Sequence, residues 1–212
     1  MFRLRWDGLM KILIGCEFSG IVRDAFTAKG HDVTSCDLLP TERPGKHYQG
    51  DIMDIINDGW DMGIFFPPCT DLSSSGAVYW PEKKKSGKQK KAIEFVLTLY
   101  NSDIPKIAIE NPSGILSTIW RKPDQIIHPY YFGDRYMKRT CLWLKNLPLL
   151  YYGELFTGKV PPIARWHSGS TRGGKKKDGT RTKSKMPALK GDPKIRSLTF
   201  LGIAKAMADQ WG

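Results

Sequence analysis

The sequence predicts an α/β domain built on a mostly parallel sheet that helices cover on both faces. Short apolar runs alternate with segments of helical period, each run is continuously apolar, and turn residues separate the segments. A continuous apolar run is typical of a strand that is buried on both faces, as in a parallel sheet. The 212 residues suffice for one domain with its own core.

Four predicted strands lie in the first half of the chain. The first, KILIGC, runs into a segment whose apolar residues recur at helical spacing and which Gly30 ends. A short helix is predicted from Asp51, a loop over residues 70–87 and an amphipathic helix over residues 89–100. The predicted strands are residues 11–16, 31–37, 60–66 and 106–110.

The pattern changes after the fourth strand. The β-rich segments 125–132 and 139–144 predict an antiparallel hairpin at one edge of the sheet. Residues 165–196 predict a long loop, and SLTFLGIAKAMADQW predicts a final amphipathic helix. We expect a single domain over residues 1–212, with a core (10–148), a basic region (149–196) and a C-terminal helix (197–212).

Composition favours a cytoplasmic globular protein. Hydrophobic residues make up 41% of the chain, and no apolar run approaches the roughly 18 residues of a membrane span. The segment MFRLRWDGLM lacks the features of a secretory signal, and Met10 is the expected start of the fold. The four cysteines neither form a CxxC pair nor cluster with histidines, so we expect no metal site and no disulfide. They are Cys16, Cys36, Cys69 and Cys141.

Positive charge is concentrated in two segments. The chain has a net charge of +12, with +5 in residues 82–91 and +9 in residues 165–196, which leaves −2 for the rest. A near-neutral body with two basic segments is typical of a protein that neutralises nucleic-acid phosphates. Either segment alone is equally compatible with a solvated loop. Their occurrence together with a candidate catalytic motif favours DNA as the partner.

The segments that follow the predicted strands are candidates for one ligand site, since ligands of open parallel sheets bind beyond the carboxyl ends of the strands. The turn GCEFSG allows close approach of a cofactor, or is a plain strand-to-helix turn. Asp37 suits the ribose hydroxyls of an adenosine, or is an exposed loop carboxylate. Asp51 suits an adenine amino group, or caps a helix.

Cys69 and Glu110 are the strongest candidates for catalysis. Two prolines fix the backbone before Cys69, between a strand end and a polar loop; the alternative is a buried structural cysteine. Glu110 ends the apolar strand IAIE, where a carboxyl is costly unless it is paired or reactive. It can hold a proton for a substrate ring nitrogen, or bond the amides of the NPSG turn.

The order of these motifs resembles a known enzyme family. The succession G-C-E-F-S-G, S-C-D, G-D-I, P-P-C and E-N-P before a terminal helix is similar to that of the cytosine-C5 DNA methyltransferases, above all the small single-domain members found in bacteriophages. The resemblance covers residues 11–144 and 195–212. It implies a Rossmann-like S-adenosylmethionine-dependent methyltransferase fold. It also implies methylation of a cytosine that is flipped out of double-stranded DNA.

The resemblance implies roles for individual residues. Cys69 would attack C6 of the base, Glu110 would hold N3, and Asn111 would position both. Lys138-Arg139-Thr140 is the best local substitute for the family's Q-x-R-x-R stretch, which this chain lacks, and Arg139 is its catalytic candidate. S-adenosylmethionine is the implied cofactor. The implied cofactor residues are Glu17, Phe18, Ser19, Gly20, Asp37, Leu38, Asp51, Ile52, Pro67, Ser197, Thr199 and Phe200.

Other departures from the family concern DNA recognition. Pro112 stands where valine is usual. The large target-recognition domain is replaced by the short basic region, which predicts short or relaxed sequence specificity. We expect a monomer that binds double-stranded DNA with steep salt dependence. The expected phosphate contacts are Lys83, Lys84, Lys85, Lys88, Arg165, Arg172, Lys175, Lys176, Lys177 and Arg181.

Three other functions are compatible with the sequence. An amino-directed methyltransferase would need an aromatic residue after the paired prolines, where this chain has Cys69. An RNA cytosine-C5 methyltransferase could use the same thiol. A non-catalytic DNA-binding relic of the fold would form no covalent adduct. Protection against restriction and regulatory marking are the biological roles that fit a DNA methyltransferase.

Overall fold

The computed structural model describes residues 8–134, 138–152 and 200–212. None of the helices in these ranges is long and apolar enough to cross a membrane. The strands are β1 (Lys11–Gly15), β2 (Asp32–Asp37), β3 (His47–Gln49), β4 (Met62–Phe65), β5 (Lys106–Pro112), β6 (Gln125–Ile127) and β7 (Thr140–Lys145). The α-helices are α1 (Ile21–Thr27), α2 (Trp80–Lys85), α3 (Lys88–Tyr100), α4 (Leu116–Ile119) and α5 (Leu201–Trp211), and short 3-10 helices cover Ile52–Asp54, Ser74–Tyr79 and Pro129–Phe132.

The seven strands form one sheet in the order β3-β2-β1-β4-β5-β7-β6. β1 to β5 run parallel, and β7 runs antiparallel to β5 and β6. This arrangement confirms the predicted α/β fold with a mostly parallel sheet and an antiparallel edge hairpin. The strand order reverses between β1 and β4, which is the switch point where a Rossmann-like fold binds its ligands.

The central strand β1 contributes to two hydrophobic cores. Ile12 and Ile14 face α1 and α5 on one side of the sheet, and Leu13 faces α3 on the other. All three side chains are fully buried. Because alternate residues of a strand face opposite sides, a strand that is covered on both sides has to be apolar throughout, which explains the unbroken run KILIG.

The structure corrects the sequence-based expectation in three places. β3 was not predicted, because His-Tyr-Gln lacks an apolar run; β3 lies at the sheet edge and is covered less than the inner strands. Residues 70–87 contain helices instead of a loop: Pro81 fits the first turn of α2, and the lysine run lies in its last turn, where positive charge is favourable. Residues 129–132 form a 3-10 turn that begins at Pro129, so the first hairpin strand is short.

Candidate active site

The carboxyl ends of four neighbouring strands bring the predicted motifs into one row. Gly15 is in register with Cys36 of β2 and Phe65 of β4, and Phe65 is in register with Ile109 of β5. The residues one position further along these strands are Asp37, Cys16, Phe66 and Glu110. Adjacent strands are about 4.8 Å apart, so the row spans about 14 Å. The four segments therefore lie at one edge of the sheet, as the sequence predicts.

The turn after β1 is held between the neighbouring strands. Phe66 N donates to Gly15 O (3.0 Å), and Glu17 N donates to Cys36 O (3.2 Å). Cys16 adopts a left-handed backbone conformation (φ 58°), which is uncommon for a residue with a side chain and is concentrated at ligand sites. The hydrogen bonds on both sides stabilise this strained conformation.

Glu17 caps the helix that follows this turn. Its Oε1 atom accepts hydrogen bonds from Ile21 N (3.1 Å) and from the Ser19 hydroxyl. The N-cap position itself is Gly20, which has no side chain. Ser19 Oγ lies 3.3 Å from Ile21 N, so Glu17 and Ser19 together satisfy the start of α1. Burial raises the pKa of Glu17. Its Oε2 atom is buried without a hydrogen-bond partner among the described residues, which leaves it able to accept a donor from a ligand.

Two further carboxylates lie close to Cys16. Burial and, to a lesser extent, Asp37 and Asp51 raise the pKa of the Cys16 thiol to about 12. Asp37 Oδ1 accepts from Leu39 N (2.9 Å), and Asp51 Oδ1 accepts from Met53 N (3.0 Å). Asp51 is thus a helix N-cap. This end of the row is acidic, which suits a ligand with hydroxyl donors or positive charge.

Leu38 and Ile52, two apolar residues of the predicted cofactor set, differ in exposure. Leu38 is 73% exposed and Ile52 is 4% exposed. Ile52 packs beneath the first turn, since a Cβ added at Gly15 would lie 2.1 Å from Ile52 Cδ1. Leu38 is therefore accessible to a ring, whereas Ile52 forms the floor of the site.

Residues 67–73, the Cys69 loop, connect β4 to the following 3-10 helix and present the candidate nucleophile. Cys69 is exposed, while Pro67 is buried. The Pro67 carbonyl accepts from Asn111 Nδ2 (2.8 Å), and Leu72 N donates to Cys69 O (3.0 Å), closing a turn directly after the thiol. Asn111 thus contacts the Pro-Pro-Cys segment, and its role in positioning that segment stays a prediction.

The turn after β5 holds the far end of the Cys69 loop. Ser73 forms an isolated bridge with Gly114, and Ser74 N donates to Ser113 O (2.9 Å). A Cβ added at Gly114 would lie 2.0 Å from Leu72 O, so only glycine allows this close approach. The loop is therefore anchored to the strand that bears the candidate acid.

Lys138 lies beside Glu110 at the start of β7. Lys138 Nζ is 3.7 Å from Glu110 Oε1 and lies 5.9 Å from the centroid of the Phe200 ring. Glu110 pairs with Leu142 in the sheet, and the register of β5 with β7 ends at the pair of Pro112 with Thr140, so Lys138 lies just before β7. Arg139 is exposed, and its role with the base stays a prediction. The sequence analysis includes Lys138 in the substitute stretch but gives the catalytic role to its neighbour Arg139.

The structure describes four of the ten predicted phosphate contacts. Lys84, Lys85 and Lys88 are exposed, whereas the Lys83 side chain is 17% exposed and pairs with Asp71.

Within the described ranges there is no group of three or more His, Cys, Asp or Glu side chains that could hold a metal ion. The predicted residues that lie outside the described ranges are Arg165, Arg172, Lys175, Lys176, Lys177, Arg181, Ser197 and Thr199.

The four thiols are expected to react at very different rates. Cys69 is exposed, whereas burial raises the pKa of Cys16 and Cys36 to about 12 and also raises the pKa of Cys141. At pH 8 Cys16 and Cys36 stay protonated, and a protonated thiol is a poor nucleophile; Cys141 is buried away from the reagent. We expect iodoacetamide to label Cys69 about 100-fold faster than the others, measured by peptide mass spectrometry. Fast labelling of a second cysteine in the native protein would contradict this assignment.

Comparison with known proteins shows a distant structural similarity. The chain is similar to a methyltransferase of Entamoeba histolytica, EhMeth, with a TM-score of 0.45 and 16% sequence identity. The similarity covers 67% of this chain and 54% of that chain, so this chain spans about half the length of the solved structure. No family model and no curated protein matches the sequence. The residues of the site, and not this similarity, support the function that follows.

Proposed function

We propose that this protein is an S-adenosylmethionine-dependent methyltransferase that methylates C5 of cytosine in double-stranded DNA. One observation supports it above all: the exposed Cys69 lies on a loop that Asn111 binds to the strand bearing Glu110. A nucleophilic thiol and an acid on neighbouring strand ends are the groups that addition to C6 of a cytosine requires.

The acidic end of the row fits S-adenosylmethionine. Asp37 suits the ribose hydroxyls and the exposed Leu38 suits the adenine ring. The buried Oε2 atom of Glu17, without a partner among the described residues, suits the ammonium group of the methionine part. When bound, the cofactor supplies an electrophilic methyl group on a sulfonium. Asp51 adds a further negative charge beside this site.

The side chains of the Cys69 loop and β5 account for the chemistry on the base. The Cys69 thiolate bonds to C6 of the flipped cytosine, and Glu110 donates a proton to N3 as charge develops on the ring. C5 then accepts the methyl group. A base removes the C5 proton, the C6–S bond breaks, and the thiolate and the methylated cytosine are released. Lys138, 3.7 Å from Glu110 Oε1, holds the carboxyl group in place.

The exposed lysines next to the Cys69 loop support nucleic acid as the substrate. Lys84 and Lys85 lie in the last turn of α2, and Lys88 opens α3. Such side chains neutralise phosphates and release counterions, so the affinity for DNA should fall steeply as salt rises. Their position directly after the nucleophile loop would place the phosphates close to the flipped base.

Duplex DNA that contains 5-fluorocytosine tests the proposal. Fluorine cannot leave C5 as a proton does, so the enzyme stays bonded to the base after methyl transfer. With S-adenosylmethionine we expect a denaturation-resistant adduct for the native protein and none for Cys69→Ser. A denaturing gel measures the adduct, and peptide mass spectrometry locates it on Cys69.

Two controls separate the other functions. The same duplex with ordinary cytosine should give no stable adduct. An RNA of the same sequence with 5-fluorocytosine should react far more slowly than the duplex; a faster reaction would identify RNA as the substrate. If no duplex gives an adduct although DNA and cofactor both bind, the proposal is wrong and the protein is a non-catalytic binder.

A further inference from the structure

Lys83 differs from its neighbours on α2. Its side chain is 17% exposed, whereas Lys84 and Lys85 are exposed. Taking an ammonium group out of water is costly unless the group is paired. The three lysines are adjacent in one basic run, so the difference comes from the packing of α2 against the segment that precedes it.

The Lys83 ammonium binds the two residues that follow Cys69. Its Nζ donates to Thr70 O and lies 3.1 Å from Asp71 Oδ1. A Cβ added at Gly76 would lie 3.7 Å from the same Nζ, so the 3-10 segment passes directly over it. The ammonium group thus connects the Cys69 loop, the 3-10 segment and α2.

A side chain from the next helix supports the same segment. Gln89 is 5% exposed, and its Nε2 donates to Asp71 O (3.3 Å). Asp71 is therefore held by its carboxylate and by its carbonyl. Leu72 N donates a hydrogen bond to Cys69 O (3.0 Å) and closes a turn. The positions of Thr70 and Asp71 within this turn therefore constrain the direction of the Cys69 thiol.

We propose that Lys83 is a positioning residue for the Cys69 thiol and not a phosphate contact. The proposal rests on the proposed function for its effect on turnover, but the loop contacts do not depend on that function. The exposed Lys84, Lys85 and Lys88 are then the phosphate contacts of this part of the chain. The sequence analysis places Lys83 with these phosphate contacts because adjacent lysines in one run cannot be distinguished until the packing of α2 is known.

Hydrogen exchange of the full-length protein tests the loop contacts. The amides of Leu72 and Ser73 both donate to Cys69 O (3.0 and 2.9 Å), so their exchange reports on the turn at the thiol. We expect Lys83→Met to speed their exchange at least about 10-fold, and Lys83→Arg, which keeps the cation, to restore most of the protection. Lys84→Met is the matched control and should leave these two amides as protected as in the native protein.

Kinetics separate positioning from DNA binding. We expect Lys83→Met to lower kcat at least about 10-fold, because a small misplacement of a reacting group is costly, with unchanged KM for DNA and unchanged salt slope. Lys83→Arg should recover most of kcat. If Lys83 only helped the protein to fold, a Lys83→Met protein that is fully folded would have the native kcat, and arginine would restore nothing. Lys84→Met should instead weaken DNA binding and reduce the salt slope by about 1.

Native protection of the two amides in Lys83→Met, together with a reduced salt slope, would overturn the proposal and assign Lys83 to phosphate binding. If the native protein transfers no methyl group, the 5-fluorocytosine experiment gives no adduct, and the proposed function fails independently of Lys83. The exchange rates of Leu72 and Ser73 then decide alone whether Lys83 holds the loop.

Discussion

Replacing Glu110 by glutamine is expected to lower the single-turnover rate of cytosine methylation by about 10²- to 10⁴-fold. An amide can still donate a hydrogen bond to N3, but it cannot transfer a proton to the ring. Negative charge that develops during attack by Cys69 is then left on the base. Rapid-quench measurement with a radiolabelled methyl donor and saturating duplex DNA gives the rate.

The matched control for this variant is Lys138→Gln, which breaks the same ion pair but leaves the carboxyl group. The Lys138 and Glu110 side chains are 23% and 13% exposed, so loss of this partly buried pair is expected to cost about 1–3 kcal/mol, more than loss of a fully exposed pair. Both variants lose the pair, so their stabilities should fall together. Equal losses of rate in both would show that Glu110 acts only through the ion pair.

Replacing Gly114 by alanine is expected to destabilise the protein by about 1–3 kcal/mol and to slow adduct formation at Cys69. The added methyl would lie 2.0 Å from Leu72 O, 2.8 Å from Leu72 C and 3.0 Å from Ser73 Cα. All three are backbone atoms, so no side-chain rotation relieves the contact. The Cys69 loop has to move away from β5, and the thiol moves with it. Urea denaturation and the rate of 5-fluorocytosine trapping measure the two effects.

Gly76→Ala is the matched control for this prediction. Gly76 lies in the 3-10 segment after the Cys69 loop, its φ is −104°, and an added Cβ would meet no atom closer than 3.7 Å. The change in the free energy of unfolding should therefore stay within about 0.5 kcal/mol. A Gly114→Ala protein as stable and as reactive as Gly76→Ala would show that the turn after β5 does not anchor the loop.

The parallel half of the sheet was predictable from the sequence because burial on both faces makes a strand apolar throughout. β1, β4 and β5 all show this pattern. The same rule explains two of the three corrections. β3 lies at the edge and has no apolar run, and α2 owes its place to Pro81 and to its packing against the preceding 3-10 helix and α3, not to an apolar face of its own.

The catalytic candidates were also predictable, because their signals are local. Cys69 follows two prolines, and Glu110 and Asn111 end an apolar strand. The sequence includes Lys138 in the substitute stretch and Lys83 among the phosphate contacts, but no local signal predicts the contacts that these two residues and Gly114 make. Their contributions arise from contacts with residues distant in the chain, such as Lys138 with Glu110.

The sequence by itself determined the order of the elements and the chemical groups at the strand ends, because burial, turn formation and side-chain chemistry act over a few neighbouring residues. Only the tertiary structure decided which of several similar groups meet. The antiparallel pairing of β7 with β5 brings Lys138, which lies just before β7, to Glu110, and helix packing turns Lys83, and not Lys84, onto the Cys69 loop. The physical reason is that register and packing depend on the whole core, whereas two adjacent basic residues have the same local preferences.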